Sequence, residues 1–261
     1  MTESGNTGGT PSKDTTIDSL LDGRVSLAQP AHGYRAAIDP VFLAAAIPAR
    51  AGDTVLDLGC GVGAAFLCLA TRVAECRISG VDADRTLVRL AGDNVLRNGL
   101  ASRILVLAGD LLHPPQRLQP GSFSHVMANP PYLRAGAATP SPLDAKAQAN
   151  IEGEADLAAW IRYALTMAQN KGTITFIHRA DRLETLLALL AGRAGDIVVF
   201  PLWAGAGKDA GRVIVQARKG VASPTRLAPG LVLHGTDGRY TDAALSVLRR
   251  GTALPIGVPS T

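Results

Sequence analysis

The chain has 261 residues, enough for one large α/β domain with a sizeable core and short for two. Hydrophobic residues make up 47% and aromatics only 4%, an alanine-rich balance that favours helices packed closely on a sheet over a β-sandwich. The formal net charge of +4 is uneven: residues 201–261 hold eight basic residues against three acidic ones, which suits a polyanionic partner, although scattered solvated arginines give the same balance.

In chain order, residues 1–16 are small, polar and rich in Gly and Thr, and are expected to form a disordered tail. Asp39-Pro40 predicts a helix start, with Asp39 as N-cap and Pro40 at the first helical position. Thr54–Leu58 reads as a buried strand ending in a glycine cluster, Ala64–Ala74 as a helix and Arg77–Val81 as a second strand. Asp84 caps a helix through Arg97, with Gly99 as its C′ residue. Ile104–Ala108 and Phe123–Ala128 are the third and fourth strands, Leu157–Ala168 a helix, Thr173–Ile177 a fifth strand and Leu183–Leu190 a helix. Ile197–Leu202 and Val213–Ala217 follow with no helix-length segment between them, so they should pair antiparallel. Leu231–His234 reads as an extra strand, and Thr241 or Asp242 caps a final helix through Leu248.

Short apolar strands alternating with helices predict an α/β fold: a Rossmann-like, seven-stranded, mostly parallel sheet with helices on both faces and an antiparallel last strand. The expected organisation is a single domain over residues 17–261, with a lead-in over 17–50, a core over 51–220 and a C-terminal extension over 221–261. The three cysteines, Cys60, Cys68 and Cys76, form no C-x-x-C pair, and the five histidines lack ligand spacing, so neither a disulfide framework nor a metal site is expected. No apolar run approaches the roughly 18 residues of a membrane span. A cytoplasmic protein with no membrane partner is the expectation.

Asp57-Leu58-Gly59-Cys60-Gly61-Val62-Gly63 joins the first strand to a helix start at the carboxyl end of the sheet, where open α/β folds bind ligands. Read as G-x-G-x-x-A through Gly59, Gly61 and Ala64, the turn could cradle a dinucleotide pyrophosphate. Asp82, ending the second strand, could bind the ribose of either cofactor. Asp57 tips the balance, because an acid two residues before the first glycine opposes a pyrophosphate and suits the ammonium group of an amino acid. Asp110, after the third strand, could accept from an adenine amino group. Asn129-Pro130-Pro131-Tyr132 follows the fourth strand and should stand beside the glycine turn. Its prolines remove two donors and fix φ. That leaves the Asn129 side-chain oxygen and the Pro130 carbonyl as acceptors for the two N–H bonds of an exocyclic amine, with Tyr132 as a stacking face.

These two motifs resemble the class I S-adenosylmethionine-dependent methyltransferases that act on amino or amide nitrogens. Gln29–Ala46, with Gly33-Tyr34-Arg35 and Ile38-Asp39-Pro40, and the segment Leu231–Leu248 resemble the bacterial tRNA (valine) adenine-37 N6-methyltransferase family in particular. The resemblance implies S-adenosyl-L-methionine as cofactor, held by Asp39, Asp57, Gly59, Cys60, Gly61, Gly63, Asp82, Ala83 and Asp110. It implies catalysis at Asn129, Pro130 and Tyr132. It also implies RNA, most naturally tRNA, as partner, with Arg35, Lys208 and Arg212 as candidate contacts. The short lead-in disfavours a release-factor glutamine methyltransferase, and the single copy disfavours the duplicated guanine-N2 ribosomal RNA enzymes. A catalytically inactive RNA-binding module and a nicotinamide oxidoreductase complete the alternatives.

Overall fold

The computed structural model of the chain describes residues 15–32, 35–111, 115–131 and 156–257. Eleven strands and six α-helices occur among them. The chain opens with a hairpin of β1 (Thr15–Leu20) and β2 (Val25–Pro30), which forms a separate two-stranded sheet. The first strand thus takes in Thr15 and Thr16, which the sequence reading had assigned to the tail. The hairpin turns on Asp22-Gly23, where Leu21, Asp22 and Gly23 all have positive φ. Asp-Gly between two extended runs favours such a turn.

Helix α1 (Asp39–Ala46) follows, and one local expectation fails there. The N-cap is Ile38, with no side-chain cap, and Pro40 stands in the first turn. Asp39 does not cap because its carboxylate turns to Arg212, whose Nε lies 3.0 Å from Oδ2. Next come β3 (Thr54–Leu58), α2 (Ala64–Arg72), β4 (Arg77–Asp82), α3 (Arg85–Arg97), β5 (Ile104–Ala108) and β6 (Phe123–Ala128). Asp84 caps α3 by accepting from the amides of Thr86 and Leu87. At the other end, Gly99 donates to Leu96 and Leu100 to Val95, the paired bonds of a Schellman stop. The chain then runs through α4 (Leu157–Met167), β7 (Ala168–Arg179), α5 (Leu183–Leu190), β8 (Ala194–Gly205), β9 (Ala210–Lys219), β10 (Arg226–Leu227), β11 (Leu231–His234) and α6 (Asp242–Arg250). Thr241 caps α6 through the amide of Ala244.

The main sheet runs β10-β8-β9-β7-β6-β3-β4-β5, with β11 also paired to β8. Seven of these strands are the expected Rossmann-like set, and β9 lies antiparallel between β7 and β8. Side chains alternate across the sheet. Val55 belongs to one apolar layer, under α1, α2, α3 and α6. Leu56 and Leu58 belong to the other, under α4 and α5. Asp57 shares the face of Val55 and therefore sits beneath α2. No helix among the described residues is long and apolar enough to cross a membrane.

Candidate cofactor and acceptor site

The parallel register sets four turns side by side. Leu58 pairs with Val81 on one flank and Ala128 on the other, and Asp82 pairs with Ala108. The glycine turn, Asp82-Ala83, Gly109-Asp110 and Asn129-Pro130 therefore leave one edge of the sheet, from strands about 4.8 Å apart. Asp110 and Asn129 are half-buried there and Pro130 is buried. Tyr132 lies outside the described residues, as do Gly33 and Tyr34.

Backbone bonds fix the glycine turn. Gly59 and Cys60 donate to the Val81 carbonyl at 2.8 and 3.0 Å, and Gly63, the N-cap of α2, donates to the Cys60 carbonyl at 2.9 Å. Gly59 has φ +65°, and a Cβ added there would lie 2.5 Å from the Trp160 ring of α4. Gly61 also has positive φ, +54°, but its missing Cβ faces nothing within 4 Å. The backbone is thus backed by an indole on one side and open to a ligand on the other.

Asp57 is 1% exposed, and its Oδ2 has no hydrogen-bond partner. Burial holds its carboxyl well above the usual carboxylate range, the charge of Asp82 adds to this, and the Phe66 amide opposes it. Asp82 accepts from the Gly61 amide at 2.7 Å and the Asp84 amide at 2.9 Å. Burial raises its pKa too, against those amides. Two acids thus face each other in a desolvated corner, a costly arrangement that a cationic ligand relieves. This donor set fits S-adenosylmethionine: an unsatisfied buried acid for the ammonium group, an open glycine turn, and an acid at the strand end for ribose hydroxyls. It suits a dinucleotide poorly, because the Gly61 amide is already committed to Asp82 and a pyrophosphate would add negative charge. Burial and the charges of Asp57 and Asp82 push the Cys60 thiol well up, so that side chain is a neutral packing group.

The other expected site residues divide. Asp39 and Arg212, read separately as a cofactor and an RNA contact, form an ion pair joining α1 to β9. Arg35 pairs with Asp18 and donates to Thr16 Oγ1 at 2.6 Å and to the Pro30 carbonyl at 3.1 Å, so it braces the hairpin. Lys208 is exposed in the turn between β8 and β9. Sequence reasoning missed Trp160, one of only two tryptophans, and Asn94 of α3, which donates to the Val62 carbonyl inside the glycine turn at 3.0 Å. The available signal for Asn94 was a polar residue of low helix propensity amid the apolar positions of a helix.

Residues 37–151 match the family described as "Methyltransferase small domain". A protein of Aeromonas hydrophila named tRNA1(Val) (adenine(37)-N6)-methyltransferase is 28% identical over 207 residues, covering 78% of this chain and 84% of its own length. One of the same name from Haemophilus influenzae is 26% identical over 215 residues, covering 81% and 88%. Among solved structures, a predicted O-methyltransferase from Agrobacterium tumefaciens superposes with a TM-score of 0.67 at 23% identity, covering 82% of this chain and 97% of that one. At that identity the likeness speaks for the fold.

Proposed function

We propose that the chain is a methyltransferase of the small-domain family, whose model matches residues 37–151, and that its acceptor is the exocyclic N6 of an adenine in tRNA. The enzyme is an S-adenosylmethionine-dependent methyltransferase; its family, the base and the RNA are the proposed part. One observation carries the reading. The acceptor-rich turn Asn129-Pro130-Pro131 leaves the strand paired directly with the one that carries the glycine turn, through Leu58 and Ala128. The names of the relatives supply the substrate class.

In this reading Asp57 meets the ammonium group, Asp82 the ribose hydroxyls and Asp110 the adenine amine of the cofactor. The bound cofactor supplies an electrophilic methyl group. An adenine N6 is a poor nucleophile because its lone pair is delocalised into the ring. The Asn129 Oδ1 and the Pro130 carbonyl each accept one of its N–H bonds, which favours a pyramidal nitrogen and stabilises the positive charge that develops on it. The proton to be lost is acidified by that charge, so no strong base is needed. Tyr132 stacks on the base, which an anticodon-loop nucleotide presents without prior unpairing. Basic residues of the C-terminal quarter, Lys208 among them, contact phosphates. A tRNA enzyme of this kind works in the cytoplasm.

The test is mass spectrometry of tRNA nucleosides from a strain lacking the protein, with methyl transfer from labelled cofactor by the purified chain. Loss of one N6-methyladenosine, restored in vitro, supports the reading. Label appearing instead in guanosine or in protein glutamine overturns the acceptor, and no label in any substrate rejects catalysis.

A further inference from the structure

The hairpin β1–β2 is outside the main sheet, and among the described residues no strand lies beside the outer edge of β2. Asn94 of α3 and Asn98, the C-cap of that helix, take that place. Asn94 Oδ1 accepts from the Ala28 amide at 2.7 Å and its Nδ2 donates to the Ala28 carbonyl at 2.9 Å. Asn98 repeats the pattern one helical turn later, with the Ser26 amide at 2.9 Å and carbonyl at 2.7 Å. The fit follows from two repeats. Four helical residues rise about 6 Å, and two strand residues advance about 6.6 Å. Each carboxamide therefore meets one outward-facing peptide of β2, as a neighbouring strand would.

The two asparagines differ in one respect. The second N–H of Asn94 Nδ2 reaches the Val62 carbonyl at 3.0 Å, between Gly61 and Gly63 of the cofactor turn. The second N–H of Asn98 goes instead to the Asn94 carbonyl of its own helix. Asn94 is fully buried, so each of its bonds is shielded from water. One planar group thus fixes the hairpin and the cofactor turn in a single orientation.

We propose that Asn94 is a positioning residue that couples the amino-terminal hairpin to the cofactor turn, so that seating of the hairpin raises cofactor affinity. The coupling rests on the glycine turn being the cofactor site and not on the identity of the RNA. When β2 is seated, Ala28 holds the Asn94 carboxamide in the plane that aims Nδ2 at Val62. When β2 lifts, the carboxamide can rotate and the turn loses its support. By reciprocity, the bound cofactor must hold the hairpin down.

Two measurements on the full chain test this. The first is the dissociation constant for S-adenosylmethionine, by calorimetry well below the melting temperature, in Asn94→Ala and Asn98→Ala. Each variant loses two hairpin bonds, so both melt lower. Asn94→Ala weakens the cofactor by about tenfold, in the usual range of coupling between sites, and Asn98→Ala, which keeps the Val62 bond, weakens it by clearly less. The second needs no variant: hydrogen exchange of the peptide covering residues 25–30 slows several-fold when the wild-type chain is saturated with cofactor. Equal affinity changes in the two variants, or hairpin exchange indifferent to cofactor, overturns the coupling while leaving the cofactor site intact. A wild-type chain that does not bind S-adenosylmethionine overturns both.

Discussion

Replacing Asp57 by asparagine should separate stability from binding. The carboxyl is buried with Oδ2 unsatisfied, and its pKa is raised by burial and by Asp82. A folded-state pKa above the unfolded value means that the native chain holds a proton which the unfolded chain has released. Stability therefore falls as pH rises from the unfolded value towards the raised one, and the full penalty stands above it. Asparagine does not titrate and removes the repulsion with Asp82. Asparagine still leaves a buried polar group unpaired, at about 1–3 kcal/mol, but removes the further cost of its charge, so the ligand-free variant should be more stable than wild type at pH 8, by on the order of 1 kcal/mol. For a chain of this size each kcal/mol moves the melting temperature by about 2–4 °C. The gap should shrink as pH is lowered towards 5. Cofactor binding should move the other way, since a charge-assisted bond worth about 1.5–3 kcal/mol is lost, a weakening of tenfold or more. The assay is thermal melting across pH with calorimetric titration of S-adenosylmethionine. A variant that melts below wild type at pH 8, or that binds cofactor as tightly, refutes the assignment of Asp57 as an unpaired acid waiting for a cation.

The two glycines that begin the turn should fail differently. Gly59→Ala meets both a left-handed backbone, which costs about 1–2 kcal/mol, and the Trp160 ring, so melting should drop sharply. Gly61→Ala meets the backbone cost alone, because its Cβ points into open space; its methyl then stands where the cofactor approaches, and affinity should fall more than stability. Equal stability losses would place Trp160 away from the turn. Asn129→Ala should lower single-turnover methyl transfer to tRNA by roughly 10²–10³, with cofactor affinity nearly unchanged. Transfer at the wild-type rate would make the turn structural and remove the main support for an amino-nitrogen acceptor.

Where the sequence was legible, the reason was local. Thr54–Leu58, Ile104–Ala108 and Phe123–Ala128 are short, mainly apolar runs, stopped by Gly59, Gly109 and Asn129-Pro130 respectively, and their ends coincide with the strands. The first and third are central parallel strands, whose burial on both faces forces the run to stop where the sheet stops; the second is a parallel edge strand, partly exposed, whose end is marked by the glycine after it. The strands β7, β8 and β9 run past their apolar centres at both ends, furthest at the start of β7, which begins at Ala168 rather than Thr173. An antiparallel ribbon satisfies its backbone with polar side chains such as Gln169, Lys171 and Arg218, so hydropathy does not mark its ends. Asp57, Asp82 and Asp110 could be placed for a similar reason: each stands at or just beyond the carboxyl end of a strand.

The remaining errors share a different cause. Asp39 looked like an N-cap because an acid before proline usually is one, yet its partner is Arg212, 173 residues later. The hairpin carried the Asp22-Gly23 signal but has little apolar periodicity of its own, since much of its fixation comes from side chains of α3, 66 and 72 residues away. Bonds between a side chain and a distant backbone leave no period in the sequence. They do leave a local cost. Asn94 is a poor helix former inside an otherwise well-capped helix, and a cost of that kind on a fully buried face has to be repaid by tertiary contacts. Helix residues that work against their own helix are therefore the places to search for what periodicity hides, and in this chain that search leads from a helix to a hairpin and from the same side chain to the glycine turn.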